Sequence, residues 1–536
     1  MGWDFVSLTK VFINPQQSRL LLDGKWGLEK ESQRITSSGH LALTDHPAVF
    51  GNKQTHPYIT TDFAESQLEL ITPPHRTMEA TFESLQTIHT EVIHGLGNEL
   101  LWPLSMPPRL PRDEADIPIA RFDDSPEGRE KELYRQGLAL RYGKKMQMIS
   151  GLHYNFSFGD KLLDLLYRKF GQKSQSKRQF TDDLYFALAR NFLRYRWLLI
   201  YLFGASPIAD DTYESVIREQ LEIIAGCCPD YAALIEKEQH YATSLRVSRF
   251  GYSERVSRFG YSNPVSASYH AYFNDLETYI RNLRKLLSTK SREYEDLGVF
   301  QDGIQVQLND NILQKESEFY AAIRFKQIAK PHKTQLDLLD ENGIQYLEVR
   351  ILDLNPFEKT EISLQQLYFL QVFILLCLFE SKEPFTEKEF IQSNQNHHLV
   401  ALFGRKPDLT IDHYQHGQIS LGNWSREIFK KLTIIARLID MGTGGQKYQN
   451  SIIREYQKII DPSLLPSARI IHEMADHHET FLQFGTRRAL INKKSNRKSQ
   501  MPGINCQHQT PHKRRNNKNS ESLKPIAHKA KIPNAC

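Results

Sequence analysis

The chain has 536 residues, 40% of them hydrophobic and 24% charged, an ordinary globular composition with room for one large domain or two to three smaller ones. Its longest apolar run, residues 372–379, is less than half a membrane span, and the N-terminus carries neither a basic-then-apolar leader nor a myristoylation pattern, since Val6 stands where Ser or Thr is required. Five cysteines are too few for a disulfide framework, so a cytoplasmic protein without membrane contact is expected, and the net charge of +5 misleads because the basic excess lies after Gly485 and the body is acidic on balance.

In chain order, the first predicted strand is Gly27-Leu28-Glu29-Lys30-Glu31, with Glu29 and Glu31 on one face. A second, Gln67-Leu68-Glu69-Leu70-Ile71, sets Glu69 against Leu68 and Leu70. Helical spacing of Phe82, Leu85, Ile88 and Val92 predicts a helix over 79–94. The strand 153–158 puts His153, Asn155 and Ser157 opposite three aromatics, and a helix over 182–203 is stopped by Gly204. Further helices are predicted from Pro264 through Leu283, over 362–379 and over 425–438, and the strand-like run 343–353 places Tyr346, Glu348 and Arg350 on one face. Four strands with an apolar back and an acid-bearing front, backed by helices, predict an α+β body over 1–485. Residues 486–536 are a basic tail with Glu521 as its single acid, a composition that predicts disorder. The tail has no aromatic residue to stack on bases, which disfavours a nucleic-acid partner.

Carboxylates crowded on one face repel each other unless cations lie between them. Oxygen ligands point to Mg²⁺ or Mn²⁺. Two other motifs carry no such chemistry. Gly442-Thr443-Gly444-Gly445 lacks the Gly-Lys-Ser/Thr of a phosphate loop and reads as a helix-ending turn. In His472-Glu473-Met474-Ala475-Asp476-His477 the second histidine comes one residue too late for a zinc-protease helix.

The runs Gly27-Leu28-Glu29-Lys30-Glu31, Thr60-Thr61-Asp62-Phe63-Ala64-Glu65, Leu101-Trp102-Pro103-Leu104-Ser105-Met106-Pro107, Leu133-Tyr134-Arg135, Gly151-Leu152-His153-Tyr154-Asn155-Phe156, Ala242-Thr243-Ser244-Leu245-Arg246, Phe319-Tyr320-Ala321-Ala322-Ile323-Arg324 and Glu348-Val349-Arg350 together resemble the proteobacterial glutamate–cysteine ligases, in family order from about residue 15 to about 480. The resemblance implies a glutamine synthetase-like fold with a funnel-shaped, largely antiparallel sheet. It implies ATP as cosubstrate and formation of γ-glutamylcysteine from glutamate and cysteine through a γ-glutamyl phosphate, the first step of glutathione biosynthesis. Glu29, Glu31, Asp62, Glu69, His153 and Glu348 would then be metal ligands. Arg350 and Arg135 would meet the phosphate. Phe63, Tyr134, Leu138, Gln147, Tyr320 and an Arg/Tyr pair would form the cysteine pocket, in a monomer.

That Arg/Tyr pair falls in a tandem duplication. The nine-residue unit that begins at Arg246 is followed by a near-identical copy that begins at Arg255. Either Arg246 with Tyr252 or Arg255 with Tyr261 restores the family spacing of six residues. The duplication and the altered C-terminus leave two alternatives: a related γ-glutamyl ligase using another amine, and a catalytically degenerate copy. A second, ATP-grasp domain for adding glycine is not recognisable.

Overall fold

The structure, a computed structural model, describes residues 3–251 and 273–497. Its central sheet is built from β1 (Gly24–Ile35), β2 (Ile59–Thr61), β3 (Gln67–Ile71), β4 (Leu100–Leu101), β5 (Leu152–Phe158), β6 (Ile323–Lys326) and β7 (Tyr346–Leu352). The order is β2-β3-β1-β5-β7-β6, with β4 paired to the end of β1, and every pairing is antiparallel. The four predicted acid-faced strands are therefore consecutive neighbours, β3-β1-β5-β7.

The helices that matter for the site are α1 (Met78–Gly95), α2 (Pro126–Tyr142), α3 (Lys177–Phe203), α4 (Leu364–Phe379), α5 (Leu421–Thr443) and α6 (Phe481–Arg497). The back of the sheet buries Leu28, Leu68, Leu70, Tyr154, Phe156, Leu347 and Val349, each worth roughly 1.5–3 kcal/mol of burial. α3 packs there: Tyr185 stacks on Phe158 with ring centroids 5.8 Å apart and its hydroxyl oxygen accepts the Phe158 amide at 2.9 Å, while Phe186 meets Phe325 at 4.1 Å. α3 starts earlier than its apolar spacing predicts, because Ser176 and Gln179 form a reciprocal cap, and it ends before Gly204 as expected. Residues 366–379 of α4 are all buried, so this run, apolar all round, is a core helix. No helix among the described residues is long and apolar enough to cross a membrane.

Three expectations change. The helix predicted from Pro264 is described only over Leu276–Ser288, capped by Asp275; residues 264–272 lie outside the described residues. α5 runs from Leu421, capped by Ser420, to Thr443, where Gly444 takes φ 75° and ends it. The body does not stop at Gly485. That residue falls inside α6, which buries Phe481, Phe484, Ala489, Asn492 and Asn496, because amphipathic packing continues through the lysine- and asparagine-rich stretch that composition alone assigns to the tail. The described body reaches Arg497.

Candidate active site

Register, more than any single strand, assembles the site. On β1, one of the two inner strands of the four, Glu31 lies opposite Glu69 of β3, and Glu29 opposite His153 of β5. Asn155 of β5 lies opposite Glu348 of β7, which in turn faces Arg324 of β6. Side-chain alternation turns all of these to the same face. Directly opposed like charges such as Glu31 and Glu69 destabilise a sheet unless something neutralises them.

His153 sits in the middle. Its Nδ1 is 3.3 Å from Glu29 Oε2 and 3.5 Å from Glu348 Oε1, and its Nε2 is 3.6 Å from Glu31 Oε1. Asn155 donates to Glu29 Oε1 at 2.9 Å, and Glu31 Oε2 accepts the Gly151 amide at 2.8 Å. Glu348 pairs with Arg350, and Lys326 Nζ lies 3.6 Å from its other oxygen. One oxygen each from Glu29 and Glu348 and one nitrogen of His153 lie within 4.8 Å of one another.

The carboxylates do not titrate alike. Burial pushes Glu69 well up, and the charges of Glu29, Asp62 and Glu31 push it further. Burial also raises Glu31, against the pull of His153. For Glu29 burial is outweighed by the hydrogen bond and charge of His153, which hold it low. For Glu348 it is outweighed by Arg350, Lys326 and Arg324, which hold it well below the carboxylate range. A face that pushes some of its acids toward the neutral form is one that a divalent cation would relieve.

The cavity over this face, about 190 Å³, is lined by Glu29, Glu31, Asp62, Phe63, Glu69, Tyr134, Arg135, Leu138, Gln147, His153, Arg246, Tyr320 and Arg350. Every described candidate from the sequence is therefore at the cavity except Glu348, which stands just beneath it against His153 and Arg350. α2 delivers Tyr134, Arg135 and Leu138 from one stretch of helix. Arg135 is held by donating to the Asp62 carbonyl, and its guanidinium lies 4.7 Å from the Phe122 ring. Arg350 lies 5.0 Å from the Tyr320 ring. Arg246 donates to the Arg350 carbonyl at 2.8 Å, and a Cβ at Gly151 would come within 1.9 Å of Arg246 Nη2, so a larger residue there would displace the guanidinium. Tyr252, Arg255 and Tyr261 lie outside the described residues.

Sequence reasoning missed Met146, Ile149, Ser317 and Arg324 as lining residues. Arg324 had a signal, being the polar residue between Ile323 and Phe325 in a strand-like run; the other three have none. His472 and His477 are exposed, on or just past the helix Pro466–Asp476, and among the described residues the one cluster able to hold a metal is Glu29, His153 and Glu348.

A family model for glutamate–cysteine ligase matches residues 9–400. The chain is 51% identical over 486 residues to a glutamate–cysteine ligase of Clostridium acetobutylicum, covering 90% of this chain and 99% of that one. It is 40% identical over 471 residues to the Pseudomonas paraeruginosa enzyme of the same name, covering 88% and 85%. The crystal structure of glutamate–cysteine ligase from Francisella tularensis in complex with AMP matches with a TM-score of 0.77 at 31% identity over 90% of each chain. A bifunctional glutathione synthetase from Pasteurella multocida matches with a TM-score of 0.70 at 31% identity, over 90% of this chain and 54% of that one. With sequence and fold agreeing along most of its length, the chain belongs to the glutamate–cysteine ligase family.

Proposed function

We propose that this chain joins the γ-carboxylate of glutamate to the amine of cysteine, cleaving ATP to ADP and phosphate and giving γ-glutamylcysteine. The observation that carries the reading is the carboxylate–histidine face of Glu29, His153 and Glu348 with Arg350 beside it, in a chain of this family.

The donor set, oxygen-rich with one imidazole, suits Mg²⁺ or Mn²⁺. Buried side-chain atoms at this face that have no hydrogen-bond partner, Glu348 Oε2 and His153 Nε2, fit the same group. Glu29, Glu31, Asp62, Glu69, His153 and Glu348 would hold it. When bound it would neutralise phosphate charge and align the nucleotide.

The remaining work belongs to the protein. A carboxylate is a poor electrophile, so the γ-phosphoryl group of ATP is transferred to the glutamate side chain, giving an acyl-phosphate with a good leaving group. Arg350 and Arg135 offset the charge on the transferring group, and Glu348 fixes the Arg350 guanidinium in place. The cysteine amine, held among Phe63, Tyr134, Leu138, Gln147, Arg246 and Tyr320, attacks the acyl carbon with its protons passing to solvent, and phosphate leaves with the acyl–oxygen electron pair. Gln147 Nε2, buried and without a hydrogen-bond partner, supports a polar ligand there. The reading takes the working unit to be a monomer. The substrates, ATP and a reduced thiol, and the unpaired Cys228 and Cys377 suit the cytoplasm.

The test is phosphate release from Mg-ATP with glutamate, with and without cysteine. Release that needs both amino acids and yields a γ-glutamyl dipeptide is the expected result. Release with glutamate alone would mean that the acyl-phosphate forms and is lost to water, the amine pocket being damaged or made for another acceptor. No release from folded protein would leave the degenerate copy.

A further inference from the structure

Beyond the residues that line the cavity, α2 carries a second set two turns on. Arg141 follows Tyr134 by seven residues, the spacing that returns to the same face of a helix. Arg141 and Glu318 are completely buried and 3.1 Å apart. Glu318 also accepts the Tyr142 hydroxyl and the Gln314 amide, each at 2.6 Å. Arg141 donates further to Gln307 Oε1 at 2.9 Å and to the Asn309 carbonyl at 2.6 Å, and its guanidinium lies 4.0 Å from the Tyr294 ring. Neither Arg141 nor Glu318 lines the cavity. Their neighbours do: Tyr134 and Leu138 on α2, and Ser317 and Tyr320 on either side of Glu318.

We propose that the Arg141–Glu318 pair is a positioning strut that sets the separation between the α2 wall and the Tyr320 wall of the amine pocket, and so the affinity for cysteine. The inference rests on the ligase reading and deepens it. The α2 wall carries Tyr134 and Leu138, and the Tyr320 wall follows a short turn, Glu316–Glu318. Such a turn has few bonds of its own to hold its side chains against a helix, whereas a buried, multiply bonded carboxylate does this with little slack. The two walls also approach closely beside the strut. A Cβ at Gly137, one turn before Arg141, would fall 2.1 Å from Gln314 Oε1, and that oxygen is already engaged by the Leu308 amide at 3.0 Å.

The experiment compares Glu318→Gln and Gly137→Ala with the wild-type chain in KM for cysteine, glutamate and ATP, with kcat and thermal unfolding alongside. Glu318→Gln removes the charge at constant shape. Gly137→Ala displaces the same wall without touching the ion pair. Both are expected to raise KM for cysteine, by about tenfold for Glu318→Gln, with KM for glutamate and ATP within about twofold. A merely structural role would reduce the folded, active fraction and lower kcat without this split. Unchanged KM values in folded Glu318→Gln, or all three rising together, would overturn the proposal. Should Glu318→Gln fail to fold, Gly137→Ala decides by the same criterion. If the wild-type chain shows no cysteine-dependent phosphate release, the ligase reading itself fails and the strut falls with it; a working wild type with no split in the variants refutes the strut alone.

Discussion

At the scale of single residues, the duplicated segment is where structure adds most to sequence. The two copies offer the same arginine in the same local context, so no reading of the residues alone can choose between Arg246 and Arg255. Arg246 is the copy that falls among the described residues, and the stretch of chain leading in to it is tied down. Thr243 donates to the Ala401 carbonyl at 2.9 Å and Leu245 to the Ser206 carbonyl at 2.7 Å. Val247, Ser248 and Phe250 of the first copy are buried, and Arg246 enters the cavity beside Arg350. Asp353, 3.6 Å from the Arg246 guanidinium, also accepts from the Ala205 amide and the Ser206 hydroxyl, so the arginine is locked to the loop that anchors it. Arg246→Ala should therefore lower the rate of cysteine-dependent phosphate release by about 100-fold, the scale of losing one preorganised charged group, and Arg255→Ala should stay within about twofold of wild type. Equal losses would mean that both copies serve the pocket. The residues of the acidic face were legible for the opposite reason. Glu29, Glu31, Glu69, His153 and Glu348 sit in short alternating runs, and alternation alone puts each on the polar face of its strand.

At the scale of the element, the rule that made β1 readable also hid its main constraint. Alternation sends Lys30 to the apolar back of the sheet between Glu29 and Glu31, and there it is completely buried, against the expectation of a wholly apolar face. Its ammonium lies 2.8 Å from Glu361 Oε2 and donates to Ser32 Oγ at 2.9 Å. Glu361 adopts φ 57°, a conformation unusual for a non-glycine residue, and also accepts from Asn492 of α6 at 3.1 Å. Burial would raise its pKa, but Lys30 and His89 hold it low, so it stays ionised. The partner lies far along the chain, and nothing in the local pattern of β1 points to it. Removing one member of such a pair strands the other charge in the core, so Lys30→Met should cost about 3–5 kcal/mol of stability. The double variant Lys30→Met/Glu361→Gln should recover a large part of that loss, since no uncompensated charge remains. Urea unfolding of the two single variants and the double closes the cycle. A double variant as unstable as the sum of the singles would show that the two residues act separately. Because Lys30 separates two residues of the acidic face, the pair also pins the strand whose register brings Glu29 opposite His153.

At the scale of the whole molecule, the C-terminal boundary decides what counts as the folded unit. Composition places it at Gly485, because Lys, Arg and Asn become frequent there and large apolar residues thin out. Packing places it later. Gly485 lies so close to Trp102 that a Cβ would come within 2.0 Å of the indole, and the turns beyond it reach back over the body. Arg488 donates to the Pro356 carbonyl at 3.0 Å. Asn492 reaches Glu361. Lys493 donates to the carbonyls of Gly97 and Glu99, both at 2.7 Å, satisfying backbone oxygens just past the C-terminus of α1 where a cation is favoured. These are polar side chains doing structural work in a helix, and composition cannot distinguish them from a solvated tail. A chain ending at Arg497 should keep the wild-type unfolding midpoint and phosphate-release rate. A chain ending at Gly485 should lose several kcal/mol, since it removes the apolar contact of Ala489, the Asn492 donor to a buried carboxylate and the bonds of Lys493 together. The loss reaches the site through Glu361 and Lys30, so the shorter chain should also lose ligase activity under conditions where it remains folded. Full activity and stability in a chain cut at Gly485 would show that α6 only covers the body, and that β1 holds its register without it.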